Sequence, residues 1–169
     1  MNIPKPKFDH IDEQLLDALQ RDARLSSAEL AENVSLSASP CWRRVKRLED
    51  TGVIRGYHAL IDPARLGYQV TALVQVSLEQ KGAPHLRAFE DAVSRLRQVV
   101  ACHCISGHYD YQLTVVAETL AEFSEFAREH INGFDGVKEV TTAFVVKEVK
   151  ARVSPSLRAG KSYGKSRIT

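Results

Sequence analysis

Residues 37–52 read S-A-S-P-C-W-R-R-V-K-R-L-E-D-T-G and predict one amphipathic helix. The apolar residues Cys41, Val45 and Leu48 recur at the spacing of a buried helical stripe. At about 100° per residue, the opposite side carries small hydroxyls and cations, namely Ser39, Arg43, Lys46 and Arg47. A short helix with such a face suits a groove lined by phosphates and base edges, so the stretch predicts a DNA-reading helix.

Two helical patterns precede this helix and give it something to pack against. Asp9 predicts the start of the first, which carries an apolar stripe. The sequence S-S-A-E at 26–29 is a capping box that predicts the start of the second. Ser37 is the predicted cap of the third helix, Pro40 lies in its first turn, and Gly52 ends it. Because helices this short are unstable alone, the three are expected to pack as a helix-turn-helix domain.

The next region alternates strand and helix patterns. V-I-R-G-Y-H-A-L-I at 53–61 predicts a connecting strand, and 62–69 predicts a hinge. Beyond the hinge, strands are predicted at 70–79, 99–106, 111–117 and 137–149, with helices opening at Pro84 and Thr119. This order predicts a ferredoxin-like βαββαβ domain, an antiparallel sheet with helices on one face. Its open face is expected to carry Ala, Val, Thr and Phe side chains and to be covered by a second copy of the chain.

Charge is distributed unevenly along the 169 residues, although the formal net charge is only +2. Residues 1–57 carry nine basic and nine acidic side chains, and residues 58–146 carry seven and eleven. Residues 147–169 carry seven basic side chains and one acidic one, and a basic, disordered tail is expected at 151–169. A DNA-binding protein needs positive charge at one place rather than overall, and the four cations within residues 43–47 supply it.

The sequence shows no sign of membrane association. No apolar run approaches the ~20 residues that a membrane helix needs, and the N-terminus lacks a signal-peptide core. Three cysteines without a framework spacing fit reduced thiols, so a cytoplasmic protein is expected.

Three motifs give the chain a resemblance to the Lrp/AsnC, or feast/famine, family of transcriptional regulators. They are D-H-I-D-E-Q-L-L-D-A-L-Q-R-D-A-R-L-S at 9–26, L-S-A-S-P-C-W-R-R-V-K-R-L-E-D-T-G-V-I-R-G-Y at 36–57 and C-H-C-I-S-G-H-Y-D-Y at 102–111. The resemblance implies an α+β protein with a winged helix-turn-helix domain at 1–61 and a RAM/ACT-like effector domain at 70–150. It also implies a homodimer that assembles further to an octamer, a double-stranded DNA operator on the nucleoid, and an amino-acid effector bound between dimers. No cofactor and no catalytic residue are expected.

The residues expected to contact DNA lie on or beside the polar face of the third helix. They are Ser37, Ser39, Pro40, Trp42, Arg43, Arg44, Lys46 and Arg47. Arg43 is favoured for bidentate base reading, and Lys46 and Arg47 for mixed roles. Two alternatives stay open: Arg44 lies toward the flank and could pair within the domain, and Trp42 is favoured as a packing residue over a contact to a thymine methyl group.

The turn before the third strand of the sheet domain is the expected effector site. It comprises Gly107, His108, Tyr109, Asp110 and Tyr111. An exposed Asp110 beside two tyrosines is expected to accept an α-amino group while backbone amides meet a carboxylate; a plain hairpin turn is the alternative. The family usually carries an acidic residue where His108 stands, so this chain has lost one negative charge there.

Two other functions remain open from the sequence. Cys102 and Cys104 lie on the same face of one strand, ~6.6–7 Å apart, at the outer limit for a disulfide, while His103 points the other way. A thiol- or metal-responsive regulator on the same fold is therefore one alternative. A dimeric ferredoxin-like barrel enzyme is the other, but the sequence offers no metal-ligand spacing, phosphate-binding glycine loop or nucleophile elbow.

Overall fold

A computed structural model describes residues 8–150, and these fall into two compact units, 8–59 and 60–150. The tail expected at 151–169 lies outside the described residues. No helix within the described part of the chain is long and apolar enough to cross a membrane.

The first unit contains three helices, as predicted: α1 (His10–Arg21), α2 (Ser27–Asn33) and α3 (Ala38–Asp50). Their buried side chains form one core, made of Leu15, Leu30, Ala31, Val34 and Cys41. Cys41 is fully buried, and burial raises the pKa of its thiol, so its predicted role as a small core residue fits the structure.

Side chains near the start of the first two helices satisfy the free backbone N–H groups there. The Asp12 amide donates to Asp9 Oδ1 at 2.9 Å, and the Asp9 amide donates to Asp12 Oδ2 at 3.2 Å. The predicted box of Ser26 and Glu29 forms in the same way, with distances of 3.3 and 2.7 Å. Ser37 occupies the cap position of α3, but its hydroxyl makes no capping hydrogen bond. The three predicted helix starts are therefore confirmed, although the Ser37 hydroxyl does not bond a backbone N–H group of α3.

The end of α3 is fixed by a left-handed glycine. Gly52 has φ +70°, its amide donates to Glu49 O at 2.8 Å, and the Val53 amide donates to Leu48 O at 3.0 Å. These two bonds form a Schellman motif, which satisfies carbonyl groups that the helix leaves free. The predicted helix end at Gly52 is confirmed.

The connecting strand predicted at 53–61 does not form in the described chain. Residues 53–62 have no strand structure, and residues 55–62 are exposed. A strand is stabilised by a partner across its backbone hydrogen bonds, and the described residues provide none for this segment. The prediction was wrong because β-propensity alone does not supply that partner.

The second unit is the predicted βαββαβ arrangement. Its elements are β1 (Val70–Leu78), α4 (Ala83–Ser94), β2 (Val99–Cys104), β3 (Tyr111–Ala117), α5 (Leu120–Phe126), continued as a π-helix (Ala127–Asn132), and β4 (Val137–Phe144). The strand order is β2-β3-β1-β4, and all neighbours are antiparallel. One core lies between the inner face of the sheet and the helices, with Phe89 of α4 packed against Tyr111 and Phe134 at ring distances of 4.8 and 5.3 Å.

Two strands are shorter than predicted. The strand expected to reach Ser106 ends at Cys104. The Ile105 amide donates a hydrogen bond to Asp110 O at 2.9 Å, and this bond begins the turn. The strand expected to reach Val149 ends at Phe144. β1 begins at Val70, so it can pair only one more residue, through the Val145 amide and Thr71 O at 2.9 Å. Strand length is set here by the partner strand.

The open face of the sheet is more polar than expected. Phe144 packs on Phe123 of α5 at a ring distance of 5.2 Å, so it lies on the helix side. The strand register places amide and hydroxyl side chains on the open face beside the apolar side chains of Leu73, Ala101, Val116 and Ala143. The amide and hydroxyl side chains are those of Thr71, Gln75, Gln112, Thr114 and Thr141. The expectation of a phenylalanine there was wrong, and the dimer across this face stays a prediction.

Candidate DNA-binding and effector sites

The outer face of α3 presents an arginine that has no hydrogen-bond or ion-pair partner among the described residues. Arg43 is exposed, and it makes no hydrogen bond or ion pair within residues 8–150. Ser39 and Lys46 are exposed beside it, and Lys46 Nζ lies 3.1 Å from Asp50 Oδ1 in an i,i+4 pair. This face can therefore offer a full guanidinium fork to a DNA base edge or a phosphate.

The neighbouring arginines, Arg44 and Arg47, form hydrogen bonds with carboxylates at the start of α1. Arg44 Nη1 donates to Asp9 Oδ2 at 2.6 Å and to Asp12 Oδ1 at 2.9 Å. These bonds raise the pKa of Arg44, and the Asp12 amide together with Arg44 lowers the pKa of Asp9. Arg47 Nη2 donates to the other oxygen of Asp12. The alternative that Arg44 pairs within the domain therefore holds, and Arg47 shares that pairing.

Trp42 lies on the opposite flank of α3. Its side chain is 57% exposed, so the favoured interpretation as a packing residue is wrong for most of its surface. It lines a cleft of about 260 Å³ within the first unit, together with Val45 and Tyr57, whose hydroxyl donates to Glu49 Oε1 at 3.0 Å. Pro40, in the first turn of α3, is half-buried.

The turn at 105–110 carries two ring side chains toward β4. The Tyr109 hydroxyl lies 2.7 Å from Thr141 Oγ1 and donates to Glu139 Oε1 at 3.2 Å. His108 Nε2 lies 3.2 Å from Glu139 Oε2, and the His108 and Tyr109 rings pack edge to face at 4.7 Å. Gly107, at φ +139°, allows the backbone to make this turn. We call His108, Tyr109, Glu139 and Thr141 the turn cluster.

Asp110 does not face solvent as expected. Its side chain is only 15% exposed; Oδ2 accepts from the Leu78 amide at 2.9 Å and Oδ1 lies 2.9 Å from Lys81 Nζ. Partial burial acts to raise the pKa of Asp110, but the Leu78 amide, Lys81 and Ser77 outweigh it and hold this pKa below its usual value. The carboxylate is therefore already paired inside the protein, and the expectation of an exposed acceptor was wrong.

Tyr111 also points away from the turn cluster. It is buried in the core of the second unit, where its hydroxyl donates to Glu90 Oε1 at 2.8 Å. Burial, followed by the contact with Glu90, raises its pKa. The expected pair of tyrosines at the effector site is therefore a single tyrosine, Tyr109.

Three residues of these sites were not predicted as site residues from the sequence. They are Glu139 and Thr141 in the turn cluster, and Asp12 beside the arginines of α3. Glu139 and Thr141 alternate along the outer face of β4, which is a visible signal, but their pairing with the turn depends on the strand order. Asp12 lies in the first turn of α1, and its contacts with residues 32 and 35 positions away are not local.

The cysteine pair lies on the edge strand β2, exposed, in register with Leu113 and Tyr111. Although Cys102 is exposed on this edge, partial desolvation of its sulfur, followed by Glu90 and Cys104, raises its pKa and disfavours the reactive thiolate. Among the residues that the structure describes, no group of three His, Cys, Asp or Glu side chains is placed to hold a metal ion.

We expect Asp110→Asn to destabilise the protein at neutral pH by about 1 to 2 kcal/mol, because the amide loses the charge that binds Lys81 and the Leu78 amide. The lowered pKa of Asp110 means that its contribution is present above the unfolded pKa and is lost as pH falls through the folded pKa. In urea unfolding measured from pH 7 to pH 2, the free energies of unfolding of the wild type and of Asp110→Asn should therefore become equal at acid pH. Asp135→Asn, at an exposed position, is the control, and a constant difference at all pH values would contradict the prediction.

Sequence comparisons agree with this two-part structure. A family model for a winged helix-turn-helix DNA-binding domain matches residues 8–55, and one for the Lrp/AsnC ligand binding domain matches residues 71–155. A DNA-binding helix-turn-helix combined with a ligand-binding domain defines a DNA-binding transcriptional regulator with a ligand-binding domain. The chain belongs to the Lrp/AsnC family of these regulators.

Individual relatives are regulators as well. The chain is 38% identical over 148 residues to the leucine-responsive regulatory protein of Rhizobium meliloti (strain 1021), covering 88% of this chain and 95% of that protein. It is 38% identical over 151 residues to the Bkd operon transcriptional regulator of Pseudomonas aeruginosa, covering 89% and 99%. A transcriptional regulator from Neisseria meningitidis, solved as a complex with L-Met, has a TM-score of 0.82 at 34% identity, covering 90% and 97%. Because these relatives are transcriptional regulators, the enzyme alternative is rejected.

Proposed function

We propose that this regulator reads a specific operator with α3 and that an amino acid bound at the turn cluster controls its affinity for that operator. The observation that carries the DNA half is Arg43, a cation without a partner among the described residues, between Ser39 and Arg47 on the outer face of α3. Arg43 would read a guanine edge, while Lys46 and the hydroxyls of Ser37 and Ser39 would meet phosphates. A symmetric dimer would place two copies of α3 in successive major grooves.

The turn cluster supplies the groups that an amino acid needs. The amides of Gly107, His108 and Tyr109 make no hydrogen bond within residues 8–150 and are available to a carboxylate. Glu139 is half-exposed and can accept an α-ammonium group, a role expected of Asp110 but excluded by its internal pairing. Glu139 would also replace the negative charge that the family usually has at the position of His108. The related regulator solved with L-Met supports this class of effector.

Assembly would connect the two halves. A second copy bound across the open face of the sheet would form the dimer, and dimers joined near the turn cluster would form the predicted octamer. An effector that favours one assembly shifts operator affinity by its difference in affinity for the two states. The regulator would act in the cytoplasm on nucleoid DNA.

A thermal-shift screen of the twenty amino acids tests the effector half. At a concentration about 100 times its Kd, a ligand specific for the folded protein adds about 2.7 kcal/mol and raises Tm by several degrees. We expect at least one amino acid to do so, and Glu139→Gln to abolish its shift because the ammonium group loses its counter-charge.

Glu125→Gln is the matched control, since Glu125 is exposed on α5 and outside the turn cluster. A shift that survives Glu139→Gln would place the effector elsewhere. No shift with any of the twenty would reject amino acids as the effector class.

A further inference from the structure

Arg47 lies at the border between two sides of α3, the outer face and the side that contacts α1. It follows Arg43 by four residues and Arg44 by three, so it lies between the outer face and the side that contacts α1. Arg44 is committed to Asp9 and Asp12, whereas Arg43 has no partner among the described residues. Arg47 is therefore the one of these three arginines that is both held by α1 and directed toward the proposed DNA surface.

Asp12 holds Arg47 with a carboxylate that is almost completely buried. Its side chain is 1% exposed, its Oδ1 accepts from Arg44, and its Oδ2 accepts from Arg47 and from the Asp9 amide. A buried carboxylate is tolerated only when it is paired and hydrogen-bonded. Release of Arg47 would leave one oxygen of Asp12 with the 3.2 Å amide contact alone, and this cost favours keeping the pair when the helix meets an acceptor outside the domain.

The rest of the Arg47 guanidinium stays available. The side chain is 52% exposed, and only Nη2 has a partner among the described residues. A guanidinium has five N–H donors in a rigid plane, so fixing one edge also fixes the direction of the others. An arginine held in this way loses less side-chain entropy when it meets a second acceptor than a mobile one.

We propose that Asp12 is a positioning residue for operator recognition, which orients Arg47 so that its remaining N–H groups meet an acceptor on the DNA beside Arg43. This inference rests on the proposed role of α3 in reading DNA. For a variant without the Asp12 carboxylate, it predicts a change in DNA affinity opposite to the change expected from net charge alone. Removing the Asp12 charge should strengthen binding to every duplex if only net charge matters, and should weaken binding to the preferred duplex if orientation matters.

The test uses two DNA probes with the full-length protein: a duplex that the wild type selects from a randomised pool, and an unselected duplex of equal length. Dissociation constants are measured at fixed salt for Asp12→Asn, Arg47→Ala and the double variant. We expect Asp12→Asn to lower the preference for the selected duplex about tenfold without weakening binding to the unselected one. Because both changes remove the same contact, the double variant should lose no more than Arg47→Ala alone.

Asp9→Asn is the matched control, since it removes an equal charge that contacts Arg44 but not Arg47. It should leave the preference unchanged. Independent, multiplicative losses from Asp12→Asn and Arg47→Ala would overturn the proposal, and so would tighter binding of Asp12→Asn to both duplexes. If Asp12→Asn does not fold, Arg47→Lys decides, because lysine keeps the charge but not the planar fork. Wild-type preference in Arg47→Lys would overturn the proposal, and a loss of about tenfold would support it.

Arg43→Ala separates this inference from the proposed function. One outcome is that Arg43→Ala weakens binding to the selected duplex while the losses from Asp12→Asn and Arg47→Ala multiply in the double variant. That result would reject only the positioning role of Asp12 and would keep the role of α3 in reading DNA. If Arg43→Ala, Arg47→Ala and Asp12→Asn all bind as the wild type does, the role of α3 fails, and the role of Asp12 with it.

Discussion

Arg43→Ala should weaken binding to a duplex selected by the wild type about tenfold to a hundredfold and should weaken binding to unselected DNA much less. The reason is that Arg43 is exposed on the outer face of α3 and has no partner within residues 8–150, so its guanidinium can pair bidentately with a base edge. The measurement is a pair of fluorescence-anisotropy titrations on the two duplexes. Because Arg43 is exposed and makes no hydrogen bond or ion pair in the described chain, the free energy of unfolding should change by less than about 0.5 kcal/mol.

Arg87→Ala gives the matched control, because Arg87 is an exposed cation on α4 in the other unit. It should lose little affinity for either duplex. Equal losses on both duplexes in Arg43→Ala would show that Arg43 contacts only phosphate, and base reading would then have to come from another residue of α3.

Phe89→Ala should destabilise the second unit by about 3 to 5 kcal/mol, which is a large part of the 5 to 15 kcal/mol typical of a folded domain. Phe89 is buried between Tyr111 and Phe134, so truncation removes both ring contacts and leaves a cavity under the strand that follows the turn cluster. Hydrogen exchange should show faster exchange of the β1 and β3 amides. If the two units fold separately, the amides of α1 and α3 should keep their protection.

Val100→Ala controls for the loss of an apolar side chain in the same sheet, since Val100 is exposed on the edge strand β2. Its effect should stay within about 0.5 kcal/mol. Equal acceleration of exchange in α3 and β3 for Phe89→Ala would show that the two units unfold together.

Features that depend on neighbouring residues were predictable from the sequence. The capping residues Asp9 and Ser26 act over three positions, and the Gly52 motif acts over five, so each leaves a local signature. The strand predicted at 111–117, after the turn, forms with those bounds as β3, and one face of it packs on the helices.

Features that depend on distant partners were not predictable. Residues 53–61 and 145–149 have β-prone sequences, but the described chain does not give them a strand to pair with beyond Val145. The sequence left the internal pairing of Arg44 open and did not predict that of Arg47, because Asp12 contacts the two arginines across 32 and 35 positions. Asp110 looked exposed because a turn is usually exposed, whereas the Leu78 amide and Lys81 enclose it.

The glutamine and threonine side chains on the open sheet face have a consequence for how fast the regulator can respond. Amide and hydroxyl groups are hydrated again when a partner leaves, so a face of this composition releases a bound copy more easily than an aliphatic one would. In a dimer formed through this face, the population of assembled forms would then follow the protein concentration, so that old complexes need not be degraded before new ones form.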